Sequence, residues 1–141
     1  TFVSGLSATY MYKFDNKQRP KNDDGSPASF IDEAGSYGVP EWRGNTSLFW
    51  YYDKYSLGAT VYYVDSFDQL YGAVSEVDSH TTLDLHASYQ ITDAATLSLG
   101  AANVTDEEAP WSDSEAEGYS FSAAGHNPMG TMLYGRISVR F

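Results

Sequence analysis

The sequence contains no cysteine, so neither a disulfide framework nor a thiolate metal site can be built; the compartment stays open, because many exported barrels also do without it. No apolar run approaches the roughly 18 residues that mark a membrane-spanning helix, so any membrane would have to be crossed by strands. Basic residues are scarce as well. Eight Lys and Arg stand against 19 Asp and Glu, a net charge of -11 that phosphates repel, which argues against a nucleic-acid partner. The opening residues show no charged, apolar and small-residue succession of a signal peptide, so Thr1 is expected to begin a fragment of a longer protein.

In place of these features there is alternation, carried largely by tyrosine and other aromatics. Leu6, Ala8, Tyr10, Tyr12 and Phe14 oppose Ser7, Thr9, Met11 and Lys13, the period of a strand with unlike faces. The same pattern predicts six strands, at about 2–14, 42–52, 56–64, 80–91, 95–104 and 130–141. Between them lie three long polar loops, about 15–41, 65–79 and 105–129, and two short turns at Asp53-Lys54 and Thr92-Asp93-Ala94. The acids gather in those loops, at Asp23-Asp24, Asp65 to Asp78 and Asp106 to Glu117.

Long and short connections strictly alternate, which in an up-and-down antiparallel sheet puts every long loop on one rim and every short turn on the other. Outer-membrane barrels have that asymmetry, with an apolar band toward lipid and a polar face toward the lumen. Asp84, His86, Gln90, Arg136 and Arg140 share one parity, and a dry core would not accept them cheaply. Trp50, Tyr52, Tyr55, Tyr89 and Phe141 gather near the short-turn end, where an interfacial girdle would lie. The fold class predicted is therefore all-β, a transmembrane antiparallel up-and-down barrel; the alternative is a soluble carbohydrate-binding β-sandwich. Six strands fall short of the smallest single-chain barrels, which have about eight, so further strands are expected from outside this sequence.

Several stretches resemble the C-terminal region of TonB-dependent receptors, over roughly Val39 to Phe141. They are Val39-Pro40-Glu41-Trp42 entering a strand, Val77 to Leu85 leading into Ala87-Ser88-Tyr89, Leu97 to Pro110 with its asparagine-containing strand exit, and the closing Gly135 to Phe141. The resemblance implies the last six strands of a plugged barrel of about 22, in the outer membrane of a Gram-negative bacterium, without the plug domain. It also implies import of a scarce nutrient such as a ferric siderophore, cobalamin or a saccharide, with no enzymatic activity and no cofactor. The implied partners are outer-membrane lipid and lipopolysaccharide, the remainder of the barrel and its plug, the TonB complex through the N-terminal part, and the barrel-insertion machinery, which would read the terminal Phe141. Within the membrane the alternatives are a passive porin and a barrel enzyme.

Specific chemistry is sparse. His80, Asp84 and His86 share the lumen parity, but a wet lumen tolerates such residues without a metal. Ser79 or Ser88 with His86 lacks any motif joining a nucleophile to a base and an oxyanion donor. Asp106, Glu107, Glu108, Asp113, Glu115 and Glu117 have a calcium-friendly composition but no calcium-loop spacing, and read as solvated charge. Trp111, Tyr119, Phe121 and His126 in the same loop are the candidates for contact with an incoming ligand, since loops carry recognition on rigid scaffolds. The Asn-X-Ser/Thr triplets at Asn45 and Asn103 fall in or at the end of strands and read as coincidence.

Overall fold

The computed structural model describes residues 1–16, 25–26, 31–36, 38–69, 76–112, 121 and 126–140. Among these, the strands in chain order are β1 (Phe2–Tyr10), β2 (Asp15–Asn16), β3 (Ile31–Asp32), β4 (Trp42–Tyr52), β5 (Tyr55–Val64), β6 (Phe67–Asp68), β7 (Glu76–Val77), β8 (His80–Gln90), β9 (Ala95–Ala102) and β10 (Met132–Val139). The six long strands form one antiparallel sheet in the order β1-β4-β5-β8-β9-β10, and the two-residue strands pair as β2-β3 and β6-β7 within the loops. This is the all-β up-and-down arrangement that the alternation predicts, as an open sheet.

The turns explain the tight connections. Tyr52 opposes Tyr55 across Asp53-Lys54, with Asp53 at a φ of 50°, a left-handed position that aspartate enters more readily than most residues. Between β8 and β9 the Thr92 hydroxyl accepts the Ala94 amide at 3.2 Å, while the main chains of Thr92 and Ala95 exchange hydrogen bonds. Three strands are shorter than the alternation suggests. β1 ends at Tyr10, after which the Phe14 amide donates to the Asp32 carboxylate at 3.0 Å and its carbonyl accepts from Glu33. β9 ends at Ala102 because Asn103 takes a φ of 47°, and β10 starts at Met132 because the Thr131 amide is drawn to Asp106.

Register carries each strand's alternation across the whole sheet. Leu48, Ala59, Leu85, Ala101 and Leu133 make one row of the apolar face; Tyr51, Ser56, Ser88, Ser98 and Arg136 make one row of the other. Every Arg, Asp and His of the six-stranded sheet lies on this second face. The apolar face is uncovered, with Leu6, Leu133 and Ile137 exposed to 82%, 77% and 69%. A soluble sandwich would cover it with a second sheet about 10 Å away; among the described residues the other sheets are two-stranded and sit in loops.

Aromatic pairs border the apolar face at both ends. Trp50 stacks with Tyr52 and Tyr55 with Tyr89 near the short turns, at centroid separations of 5.8 and 4.8 Å, and Tyr10 stacks on Trp42 at 4.5 Å beside the long loops. From Trp42 to Tyr52 the chain climbs about 3.4 Å per residue. Tilted by about 35–45°, as barrel strands are, that run spans about 25 Å, the height of the apolar band of an outer-membrane barrel.

Candidate functional site

Where the sheet leaves buried side chains behind, the loops begin to have them. Phe67 and Val77 face each other across β6-β7, 4% and 0% exposed, and form a small apolar core above the sheet. The loop after β1 reaches this core through the main chain, the Asp68 amide donating to the Gly35 carbonyl at 2.7 Å. The loop after β9 reaches it through Gln69 Nε2, which donates to the Ser112 hydroxyl at 2.9 Å, and through His126, whose ring stacks on Phe67. All three long loops are thus knitted together on one rim.

A clip fastens the base of the last loop. The Asn103 amide donates to Asp84 on β8 at 2.9 Å, the Asn103 side chain donates to the Glu107 carbonyl and accepts from the Glu107 amide, and the Thr131 hydroxyl donates to the Asn103 carbonyl at 2.8 Å. Asp106 receives the Thr131 amide at 2.9 Å. Asn103 and Asp106 both adopt positive φ, a conformation that short polar side chains tolerate. In the sequence the glycosylation triplet at Asn103 reads as coincidence while Leu97 to Pro110 reads as an asparagine-containing strand exit; the signal for the clip itself is an Asn and an Asp placed where a strand has to stop.

Two hollows open beside this clip. One, of about 290 Å³, is lined by Tyr62, His80, Thr82, Asp84, Asn127 and neighbouring residues on the polar face. The other, of about 500 Å³, lies outward and is lined by Asp106, Glu108, Ala109, Trp111, Phe121, Pro128 and Gly130. Trp111 and Phe121, bridged strand-fashion to each other, therefore share one hollow, and Trp111 is 63% exposed. His126 does not join them: it is buried in the loop packing, 7% exposed. Tyr119 and Phe141 lie outside the described residues.

The remaining candidates are placed as follows. Ser88 pairs its hydroxyl with Ser56 at 2.6 Å. His86 sits in a row with Gly58 and Gly100, the rings of Phe49 and Tyr134 lying over those two glycines from either side. Asp84 is engaged by the clip, and among the described residues no three His, Cys, Asp or Glu side chains converge as metal ligands. At the rim, the Phe14 and Ala34 amides hold the Asp32 carboxyl below the usual carboxylate range.

Comparison with known proteins gives a family and a fold. The family described as "TonB dependent receptor-like, beta-barrel" matches residues 2–104. Among solved structures, a mutant of the ferric enterobactin receptor of Pseudomonas aeruginosa superposes with a TM-score of 0.67 at 20% identity, over 99% of this chain. The chain spans 20% of the length of that receptor. No curated protein matches the sequence.

Proposed function

The chain belongs to the TonB-dependent receptor β-barrel family, and from that premise we propose that it forms part of the wall and outer rim of an outer-membrane transporter importing a scarce nutrient. The observation that carries this reading is the division of the sheet. Every Arg, Asp and His of its strands shares one face, while the opposite face is apolar and bounded at both ends by aromatic pairs. Such a sheet is stable when lipid covers one face and an aqueous interior the other.

In this reading the open edges of β1 and β10 pair with strands from the rest of the receptor, since unpaired backbone in lipid costs several kcal/mol per group. The whole receptor supplies the plug and its contact with the TonB complex, and Phe141 takes part in recognition by the barrel-insertion machinery. Bond chemistry has no part in it. The solved relative is named for a ferric siderophore, which makes that class the first to test, ahead of cobalamin and saccharides. Trp111 and Phe121 around the outward hollow, with Tyr119 from the same loop, are the contacts proposed for the ligand.

The test is equilibrium binding of the full-length receptor, in detergent, to ferric siderophores, cobalamin and oligosaccharides, read by tryptophan fluorescence. One class should bind, and Trp111→Ala should weaken it about ten-fold, the equivalent of about 1.4 kcal/mol. Passive, unsaturable solute flux in liposomes with no binding from any class would replace the transporter by a porin.

A further inference from the structure

Three rings from three elements meet beneath the rim. His126, from the loop preceding β10, stacks on Phe67 of β6 with centroids 5.7 Å apart and planes 15° from parallel. It stands edge-on to His80 at the head of β8, at 5.3 Å and 88°. Both imidazoles are more than nine-tenths buried, and among the described residues both nitrogens of His126 and Nε2 of His80 are without a hydrogen-bond partner. Two imidazoles with no third donor among the described residues, under the influence of the Arg43 guanidinium, make a poor cation site. The same features make a proton unwelcome there, because a charged imidazolium would be buried unpaired.

We propose that His126 is a proton-operated latch: neutral, it holds the described segment 126–131 before β10 against β6 and β8, and protonated, it releases that segment and opens the rim above the polar face. Among the described residues the titratable and charged groups acting on it are His80 from β8 and Arg43 from the start of β4; from β6 it meets the uncharged ring of Phe67. Arg43 is itself positioned by donating to the Gly38 carbonyl at 3.4 Å.

Burial first, then the proximity of His80 and of Arg43, pushes the His126 imidazole from its ordinary 6.5 down to about 4. The closed loop therefore binds a proton more weakly than the open loop. Closure keeps its full strength above pH 6.5, weakens as pH falls below that value, and has lost this contribution once pH passes below about 4. The latch rests on the transporter reading only for its consequence, access to the polar face. Closure is measured without ligand, so the two ideas fail separately.

The test is hydrogen exchange by mass spectrometry on the full-length receptor in nanodiscs at pH 7.5 and 4.5, corrected for intrinsic exchange rates. Protection of peptides covering Phe67–Asp68 and His126–Thr131 should fall by at least about ten-fold at the lower pH, with β4 and β5 unchanged. His126→Phe, which keeps a ring but cannot titrate, should remain protected at both pH values. His126→Gln, neutral throughout, serves if the larger ring does not fit, and should be equally indifferent to pH. Arg43→Gln should move the midpoint upward, toward the ordinary histidine value. Unchanged protection in the wild type, or pH-dependent opening that persists in both His126 variants, would overturn the latch.

Discussion

The six long strands and the loops above them bury different things. Among the described residues the strands bury only His80, at the end where β8 meets the loops, whereas the loop segments bury Phe67, Val77, Glu33, Asn103, Ser112 and His126. In a soluble domain the regular elements would hold the core and the loops would be exposed. The reversal follows from the two solvents. In the proposed membrane setting lipid covers the apolar face of the strands, so the sheet has no need of an interior of its own, and its backbone ladder supplies the order. The loops stand in water and must exclude it by packing against each other.

The difference can be pressed hardest at Phe67. Phe67→Ala should lower the local opening free energy of the rim by about 3–5 kcal/mol, seen as lost exchange protection at Val77 and His126, while the thermal unfolding of the barrel stays where it was. Parallel loss in the strands would mean that rim and wall are one cooperative unit. Next comes a pair on the sheet. Leu85→Arg, at mid-strand on the apolar face, should destabilise the receptor in lipid by about 2–4 kcal/mol, read by urea-dependent folding into vesicles. Thr60→Arg, on the other face and directly opposite Asp84, should cost less than about 1 kcal/mol. Equal costs would undo the assignment of faces.

The smallest contrast separates backbone from side-chain crowding. A methyl on Gly44 would stand 2.8 Å from the Ser7 carbonyl oxygen, whereas one on Gly100 would meet the far end of the Tyr134 ring. Gly44→Ala should therefore cost about 1–3 kcal/mol by forcing main chains apart, and Gly100→Ala less than about 1, since the ring can swing away. Urea midpoints of the two variants in the same vesicles decide it.

How much of this was legible in sequence depends on length. The long strands show themselves because eight or more residues of alternation cannot be mistaken for a loop. The pairs β2-β3 and β6-β7 do not, because two residues contain no period, and residues 65–79 read as loop although Phe67 and Val77 lie within them. Trp111 and Phe121 were marked by being aromatic in an acidic loop, and they do share a hollow. His126 was marked for the same reason, yet it is buried. Nothing local distinguishes an imidazole that faces a ligand from one that faces His80 on β8, more than forty residues earlier. Partner and burial are tertiary facts.

The Asn103 clip joins Asn103, Asp106 and Thr131 at the sheet edge, so the last loop leaves and returns at nearly one point. Its ends are already closed, and closure entropy rises only by about 0.6 kcal/mol for each doubling of length. The segment between them can therefore be lengthened, shortened or exchanged with little demand on the wall beneath. Such a fastening makes the loop between its two ends modular: what that loop meets could change while the strands and their register stay as they are.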